Sequence, residues 1–453
     1  MKVHFIAICG SAMHNLAIAL AKKGYEVSGS DDEFFEPAKS RLRKYDLLPG
    51  LIGWHPELLT PQLDAVIVGM HAKADNPELI RAQQLGLKIY SYPEYLYEQS
   101  KNKKRIVIGG SHGKTTITAM ILHVLQHCKI DCDYMVGAQL EGFDVMVKLS
   151  EDAPLMVFEG DEYLTSPIDR RPKFHVYKPD IALISGIAWD HINVFPTFDN
   201  YVEQFRIFAG LISNNGALVY CNEDVEVVKI ADHVPESIQK YAYKTLSFTI
   251  ENGITYLNTK NGKTALQIFG KHNLCNLAGA KQVCNLLGVS DELFFNAIAS
   301  FKGASKRLEL IAKNDFTAIY KDFAHSPSKL MATTKALKEQ YPGRKLVACM
   351  ELHTYSSLNK DFLSQYQNTL EFADVPLVYF NHHALAIKKL PPISSEQVFD
   401  AFNNPDLQVF TDSSILRATL LQQEWKNCNL LMMSSGNFDG ISLDALAENI
   451  LAR

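Results

Sequence analysis

Two features of the sequence predict an α/β fold. Short apolar runs rich in β-branched residues alternate with helix-like stretches along the chain, and one glycine-rich turn joins such a strand to such a helix. This alternation is typical of parallel sheets covered by helices. Because 453 residues exceed what one core holds, we expect about three domains. They are a Rossmann-like N-terminal domain at 1–100, a central P-loop ATPase-type domain at 101–308 and a Rossmann-like C-terminal domain at 309–453.

The composition argues against several classes of protein. A hydrophobic fraction of 47% with 21% charged residues is ordinary for a globular chain. A net charge of -5 argues against binding nucleic acid by phosphate neutralisation. No stretch reaches transmembrane length, and the apolar start is too short for a secretory signal. We therefore expect a cytoplasmic monomer or weak homodimer without membrane contacts. The eight cysteines lack zinc-binding spacing and should be reduced thiols.

The N-terminal domain opens with a pattern that suits a nucleotide. A β-rich run at 3–8 leads through Gly10 into an apolar helix at Leu16–Ala21, and a second strand ends before Asp31. In such a βαβ unit the first helix N-terminus binds phosphate and the acidic residue lies near the ribose. Only one glycine of the usual three is present. A Rossmann-like turn without a ligand therefore remains an alternative.

The central domain begins with the pattern of a phosphate-binding loop. The strand Ile106–Ile108 is followed by a glycine-rich turn, Lys114, Thr115 and a helix. Backbone N–H groups of such a loop bind phosphate, the lysine reaches the outer phosphates and the threonine hydroxyl can bind Mg²⁺. The first glycine of the general pattern falls on Ile108, so an accidental glycine-rich turn is the alternative. The short basic segment Lys101–Arg105 before this strand is expected to be a solvated linker.

Two later strands of this domain end in polar residues. One apolar run precedes Glu159, Asp161 and Glu162, and the next precedes Asp190 and His191. Ligands bind at the carboxyl edge of an open α/β sheet, and oxygen-rich sites suit Mg²⁺. A solvated acidic turn and a structural histidine are the alternative interpretations.

Further candidates lie near the last domain. Asn273 and Asn276 lie one turn apart on a predicted helix, where they can bind an adenine edge, although Asn273 can equally cap the helix. The region 302–309 is expected to be a hinge. Strands alternate again with helices after it, with polar residues at their ends.

Taken together, these motifs resemble the Mur ligases, an ATP-dependent family that adds amino acids or peptides to UDP-N-acetylmuramate. The resemblance extends over essentially the whole chain. Its carriers are Gly110-Ser111-His112-Gly113-Lys114-Thr115-Thr116, Glu159-Gly160-Asp161-Glu162-Tyr163, Trp189-Asp190-His191, His272-Asn273 with Asn276, and Asp322-Phe323-Ala324-His325-Ser326-Pro327. Ser326 stands where a second histidine is often found in the family, so the role of that position is open.

Three segments resemble the branch of the family that joins a peptide. They are the Cys9-Gly10 loop, the run 161–174 and the tail 433–441. This resemblance implies that L-alanyl-γ-D-glutamyl-meso-diaminopimelate, a murein tripeptide, is joined to UDP-N-acetylmuramate in peptidoglycan recycling. The alternative within the family is the branch that adds L-alanine.

The resemblance also implies roles for individual residues. Lys114, Glu159 and His191 would be catalytic, and Thr115, Glu159 and His191 would hold Mg²⁺. The implied ATP site comprises Gly110, Ser111, His112, Gly113, Lys114, Thr115, Thr116, His272, Asn273, Asn276, Arg307 and Asp322. The implied UDP-muramate site comprises Gly10, Ser11, Met13, Ser30 and Asp31. The peptide side would include Asp169, Arg170, His325 and His353.

Two readings from other classes remain open at this stage. The N-terminal unit suits a nucleotide-dependent dehydrogenase or sensor, although its missing glycines count against that function. A non-catalytic P-loop protein would bind ATP without turnover.

Overall fold

The chain forms two compact units. The computed structural model describes residues 1–70, 72–140, 142–143, 145–166, 169–260 and 262–452. The first unit comprises Met1–Ile187, Asp199–Tyr243 and Gly279–Val289, and the second comprises Ala188–Phe198, Lys244–Ala278 and Ser290–Arg453. No described helix is both long and apolar enough to cross a membrane.

The first unit begins with a four-stranded parallel sheet of order β2-β1-β3-β4. Its elements are β1 (Lys2–Ile6), α1 (Met13–Lys22), β2 (Glu26–Ser30), α2 (Ala38–Lys44), β3 (Ala65–Val68), α3 (Pro77–Gln84), β4 (Ile89–Ser91) and α4 (Tyr92–Ser100). Every residue of β3 is buried, as expected for a parallel strand covered on both faces. The helix predicted at Leu16–Ala21 begins three residues earlier, at Met13, next to the Gly10 turn.

The same unit contains a seven-stranded sheet of order β11-β10-β9-β5-β8-β6-β7, in which only β7 runs antiparallel to its neighbour. Its elements are β5 (Lys104–Gly109), α5 (Lys114–His127), β6 (Asp133–Met135), β7 (Val147–Lys148), β8 (Leu155–Glu159), α6 (Lys173–Val176), β9 (Ile181–Ile184), α7 (Phe198–Gly210), β10 (Ala217–Cys221), α8 (Val225–Asp232) and β11 (Gln239–Tyr243). Ile106, Val107 and Ile108 are fully buried in the central strand. Each contributes roughly 1.5–3 kcal/mol of transfer free energy.

The prediction that Lys101–Arg105 is a solvated linker holds for Lys101, Asn102 and Lys104, which are exposed, but is wrong for Lys103 and Arg105. Arg105 is 9% exposed, and its guanidinium donates to the carbonyl oxygen of Lys178 at 2.8 Å. The Lys103 ammonium contacts Asp133 at 2.6 Å. Basic side chains next to an apolar strand can bury their stems if their charged ends find partners, and these two do.

The second unit contains a small antiparallel sheet that the sequence did not reveal and a larger α/β sheet that it did. The small sheet is β12 (Phe248–Glu251), β13 (Ile254–Thr259) and β14 (Gly262–Leu266), followed along the chain by α9 (Lys271–Leu286) and α10 (Asp291–Ile298). Exposed polar residues alternate only loosely with apolar ones in these strands, so the period-2 signal is weak.

The large sheet has the order β15-β16-β20-β17-β18-β19 and is parallel except for the β15–β16 pair. Its elements are β15 (Glu309–Lys313), β16 (Ala318–Asp322), α11 (Pro327–Gln340), β17 (Lys345–Leu352), β18 (Val375–Phe380), α12 (His382–Ile387), α13 (Ser395–Phe402), β19 (Gln408–Phe410), α14 (Ser413–Gln422), β20 (Cys428–Met433) and α15 (Leu443–Leu451). The predicted three-domain α/β fold class is confirmed. The boundaries 1–100, 101–308 and 309–453 stay predictions.

Candidate active site

The glycine-rich loop connects the end of β5 to the start of α5. Gly110 and Gly113 have φ angles of 136° and 79°, which L side chains rarely adopt. A Cβ atom on Gly110 would lie 2.0 Å from the Ser185 hydroxyl oxygen, so the residue that follows β9 leaves no room for a side chain there. The Ser111 N–H donates to the carbonyl oxygen of Gly186 at 2.9 Å and fixes the loop against the segment after β9.

The N-terminus of α5 has the features of an anion site. Gly113 occupies the N-cap position, so no side-chain cap covers the first N–H groups of this 14-residue helix. Unpaired N–H groups and the helix dipole both favour a negative ligand. All seven residues predicted to bind phosphate here lie in the loop or first turn: Gly110, Ser111, His112, Gly113, Lys114, Thr115 and Thr116.

Lys114 is held by a carboxylate and a carbonyl group. Its Nζ lies 2.6 Å from Glu162 Oε2 and 2.6 Å from the carbonyl oxygen of Gly110. Burial lowers the pKa of the Lys114 ammonium, but the carboxylates around it, Glu162 first, outweigh burial and keep the pKa above its usual value. The lysine is therefore charged and aimed at the loop.

Glu159 and Thr115 meet beside the lysine. The Thr115 hydroxyl donates to Glu159 Oε1 at 2.6 Å, and the Gly137 N–H donates to Oε2 at 2.7 Å. Hydroxyl and carboxylate oxygens are what Mg²⁺ prefers, usually with water completing the shell, so this pair fits the predicted ion. Among the described residues, no group of three or more His, Cys, Asp or Glu side chains is arranged to hold a metal.

The N-terminal sheet presents a second helix N-terminus at its carboxyl edge. Gly10, Ser11 and Met13 lie at the start of α1, whose N-cap Ala12 makes no side-chain cap. The carbonyl oxygen of Ser30 accepts from the N–H groups of Ala7 and Ile8 at 3.0 Å each. The loop before α1 is therefore fixed by the end of β2.

Asp31 and Ser30 have structural partners. Asp31 is 1% exposed, and its Oδ2 accepts from the Cys9 N–H at 2.7 Å. Burial, aided by Asp32, raises the pKa of Asp31 to about 6. The Ser30 hydroxyl donates to Glu78 Oε2 at 2.5 Å. Contact of Ser30 and Asp31 with UDP-muramate stays a prediction.

In the second unit, two of the sequence motifs meet at Asp190. His325 Nε2 lies 3.8 Å and Lys329 Nζ 3.7 Å from Asp190 Oδ2. Burial raises the pKa of Asp190, but opposing interactions, led by the charge of Lys329, outweigh burial and lower the pKa to about 2. Burial, with Lys329, lowers the pKa of His325 to about 3, so this imidazole is neutral near pH 7. His191 follows Asp190 with a φ of 55°, and its convergence with Lys114 and Glu159 stays a prediction.

Asp322 holds the predicted hinge. Its carboxylate accepts from the Leu308 N–H at 2.5 Å and the Ala324 N–H at 2.6 Å. Burial raises the pKa of Asp322 against the opposing charge of Arg307. The Arg307 guanidinium lies 4.7 Å from the centre of the Phe323 ring. The two residues predicted to close on ATP are therefore neighbours, and their contact with nucleotide stays a prediction.

The remaining candidates are dispersed within the units. Asn273 and Asn276 are buried at the start of α9 near His272, and the Asn273 amide donates to the carbonyl oxygen of Phe269 at 2.9 Å. Asp169 pairs with Arg171 at 2.6 Å, next to exposed Arg170. Pro167 and Ile168 of that segment lie outside the described residues.

His353 stands at the carboxyl edge of the C-terminal sheet. Its Nδ1 lies 3.7 Å from Glu351 Oε1. Glu351 is buried, and its other oxygen accepts from the Ser434 hydroxyl and, at 2.9 Å, from the Phe438 N–H. The histidine is thus next to the loop that follows β20.

Comparison with known proteins identifies the family. The Mur ligase catalytic-domain model matches residues 2–104, and the Mur ligase middle-domain model matches residues 108–284. A UDP-N-acetylmuramate–L-alanine ligase of Sulfurihydrogenibium sp. is 30% identical over 456 residues, which cover 99% of this chain and 97% of that protein. The chain belongs to the Mur ligase family.

Other Mur ligases match over almost the full length. A UDP-N-acetylmuramate–L-alanine ligase of Carboxydothermus hydrogenoformans is 28% identical over an alignment that covers 99% of this chain and 97% of that protein. The fold matches UDP-N-acetylmuramate-alanine ligase of Thermotoga maritima with a TM-score of 0.70 and 19% identity, over 100% of this chain and 99% of that one. It matches a murein peptide ligase of Psychrobacter arcticus with a TM-score of 0.65 and 22% identity, over 100% and 98%.

Membership of the Mur ligase family gives the general activity. Members are ATP-dependent ligases that form amide bonds in peptidoglycan synthesis. Several residues that support the candidate sites are not apparent from the sequence, among them Tyr201, Glu78 and Lys329. None belongs to a glycine, carboxylate or histidine motif. Only the fold brings them to their partners.

Proposed function

We propose that this Mur ligase joins an amine to the lactyl carboxylate of UDP-N-acetylmuramate through an acyl phosphate. The observation that carries the proposal is the group of Lys114, Glu162, Thr115 and Glu159 at the carboxyl ends of β5 and β8. A charged lysine over uncapped helix N–H groups suits the outer phosphates of ATP. Thr115 and Glu159, together with His191, would hold Mg²⁺, which supplies charge neutralisation to the transferring phosphoryl group.

The chemistry follows from the poor reactivity of a carboxylate. Direct attack by an amine would have to expel oxide, so the carboxylate oxygen first attacks the γ-phosphorus of ATP and ADP leaves. The amine then attacks the acyl carbon, phosphate departs, and the ammonium proton passes to solvent. Lys114 would stabilise the charge on the phosphoryl oxygens during the first step.

Two amines are candidates, and different observations favour each. L-Alanine is favoured by whole-length relatives that are 28–30% identical. The tripeptide L-alanyl-γ-D-glutamyl-meso-diaminopimelate is favoured by the resemblance of the segments 161–174 and 433–441 to the peptide-joining branch. The sequence relatives weigh more than this resemblance, because they cover almost the entire chain. The tripeptide assignment would place the enzyme in peptidoglycan recycling.

One assay separates the candidates. ADP release is measured with UDP-N-acetylmuramate, ATP and Mg²⁺ against L-alanine, the tripeptide and its lysine-containing analogue. We expect release to depend on both UDP-N-acetylmuramate and one amine, and the amine with the higher kcat/KM identifies the branch. ADP release that ignores UDP-N-acetylmuramate would contradict the proposed function altogether.

A further inference from the structure

A buried network of side-chain hydrogen bonds connects the two ends of the phosphate-binding loop. The Tyr201 hydroxyl lies 2.9 Å from the Ser111 hydroxyl and donates to Glu162 Oε1 at 3.2 Å. The other oxygen of Glu162 contacts the Lys114 ammonium at 2.6 Å. This hydrogen-bonded network therefore runs from Ser111 to Lys114, at the two ends of the same loop.

Three side chains of this hydrogen-bonded network are shielded from water. Tyr201 is fully buried, Glu162 is 1% exposed and Ser111 is 4% exposed. A hydrogen bond in such surroundings is costly to leave unmade. Loss of the single Tyr201 oxygen would take one partner from each of the other two side chains.

Helix α7 fixes Tyr201 in this position. Tyr201 lies in the first turn of α7 and packs edge-to-face against Phe205, with ring centres 5.3 Å apart. Phe208 of the same helix would lie 3.1 Å from a Cβ atom on Gly109, at the end of β5. The helix is thus anchored next to the loop by aromatic packing.

We propose that Tyr201 is a positioning residue for ATP: through Ser111 and Glu162 it holds the phosphate-binding loop and Lys114 in the geometry that accepts the triphosphate. The inference rests on the proposed function, since it assumes that the loop binds ATP. Tyr201 itself touches no phosphate in this role. Its effect is to reduce the ordering that the loop must undergo when nucleotide binds.

The test compares two tyrosine variants that each lose one buried hydroxyl. Tyr201→Phe removes the hydroxyl that links Ser111 to Glu162 in this hydrogen-bonded network. Tyr177→Phe is the matched control, because Tyr177 is fully buried, stacks on Phe158 and its hydroxyl has no hydrogen-bond partner in the described part of the chain. We expect Tyr201→Phe to raise the dissociation constant and KM of ATP by about tenfold. KM for UDP-N-acetylmuramate should stay within about twofold of wild type, and Tyr177→Phe should leave ATP affinity unchanged.

Ser111→Ala provides a second route to the same bond from the loop side. If the hydrogen bond between Ser111 and Tyr201 carries the effect, the double variant should lose less ATP-binding free energy than the sum of the losses in the two single variants. If Tyr201→Phe binds ATP within about twofold of wild type, the tyrosine has only a packing role. That result would overturn this inference but not the proposed function. Wild-type protein that binds no ATP by calorimetry would overturn the proposed function and the inference together.

Discussion

The N-terminal and central sheets use buried carboxylates differently at their carboxyl edges. At the N-terminal edge, Asp31 accepts from a backbone N–H and Glu78 from a serine hydroxyl and the His55 N–H. At the central edge, Glu162 faces the Lys114 ammonium, whereas Glu159 accepts from a threonine hydroxyl and from the Gly137 N–H, much as the N-terminal carboxylates do. Both edges follow from the same βαβ architecture, in which side chains after parallel strands gather on one side.

Glu162 therefore marks the difference between the two edges, because its role is to pair with a charged group and not only to stabilise a loop. A carboxylate that accepts from N–H and O–H groups stabilises one backbone geometry, whereas one that pairs with a lysine also keeps that lysine charged for a phosphate. We therefore expect substitutions at the central edge to affect turnover most strongly and those at the N-terminal edge to affect stability.

The largest effect is expected at the central edge. Lys114→Ala should lower kcat for ADP release by about 10²–10³-fold or more, because it removes the cation that we propose to face the transferring phosphoryl group. Circular dichroism should report an intact fold. Lys229→Ala, which removes an exposed lysine that pairs with Glu226 on α8, is the control and should leave kcat unchanged. Full activity of Lys114→Ala would remove the lysine from the mechanism.

Glu78→Ala tests the holding role at the N-terminal edge. The substitution would leave the Ser30 hydroxyl, the His55 N–H and the His4 imidazole without this buried acceptor. We expect the free energy of unfolding in urea to fall by about 3–5 kcal/mol. Glu98→Ala, which breaks an exposed pair with Lys101, should change it by less than about 0.5 kcal/mol. Equal losses in the two variants would contradict the distinction between the edges.

Asp31 gives a smaller effect that depends on pH. Burial raises its pKa from 3.8 to about 6, so the folded protein binds this proton more tightly than the unfolded chain does. The resulting stabilisation is complete below about pH 4 and is lost as pH rises through about 6. We expect the difference in unfolding free energy between wild type and Asp31→Asn to change by roughly 2–3 kcal/mol between pH 4 and 7. A difference that is constant across this range would refute the raised pKa.

The sequence predicted those parts of the site whose residues are close together in the chain. The glycine loop, Lys114 and Thr115 follow one strand directly, and a strand–loop–helix has one geometry for such a motif. Glu159 was predictable because it ends the next parallel strand to pair with β5. In each case local pattern and sheet topology give the same answer.

Partners distant in sequence were not predictable in this way. Tyr201 lies 90 residues from Ser111, and nothing distinguishes it from other tyrosines on amphipathic helices. Glu78 belongs to no sequence motif, and only the fold, which brings the first turn of α3 next to β1 and β2, reveals its acceptor role. In the basic segment at 101–105, Lys103 and Arg105 were wrongly predicted to be solvated, because a charge pattern does not show which carbonyl and carboxylate groups will be nearby.

The contact between Lys114 and Glu162 has a consequence for how the loop would bind a nucleotide. In the proposed function, the arriving triphosphate would have to displace Glu162 from the Lys114 ammonium, so binding would exchange one anionic partner of the lysine for another. Competition with Glu162 would then favour ligands that carry more negative charge and make more charge-assisted hydrogen bonds within the loop.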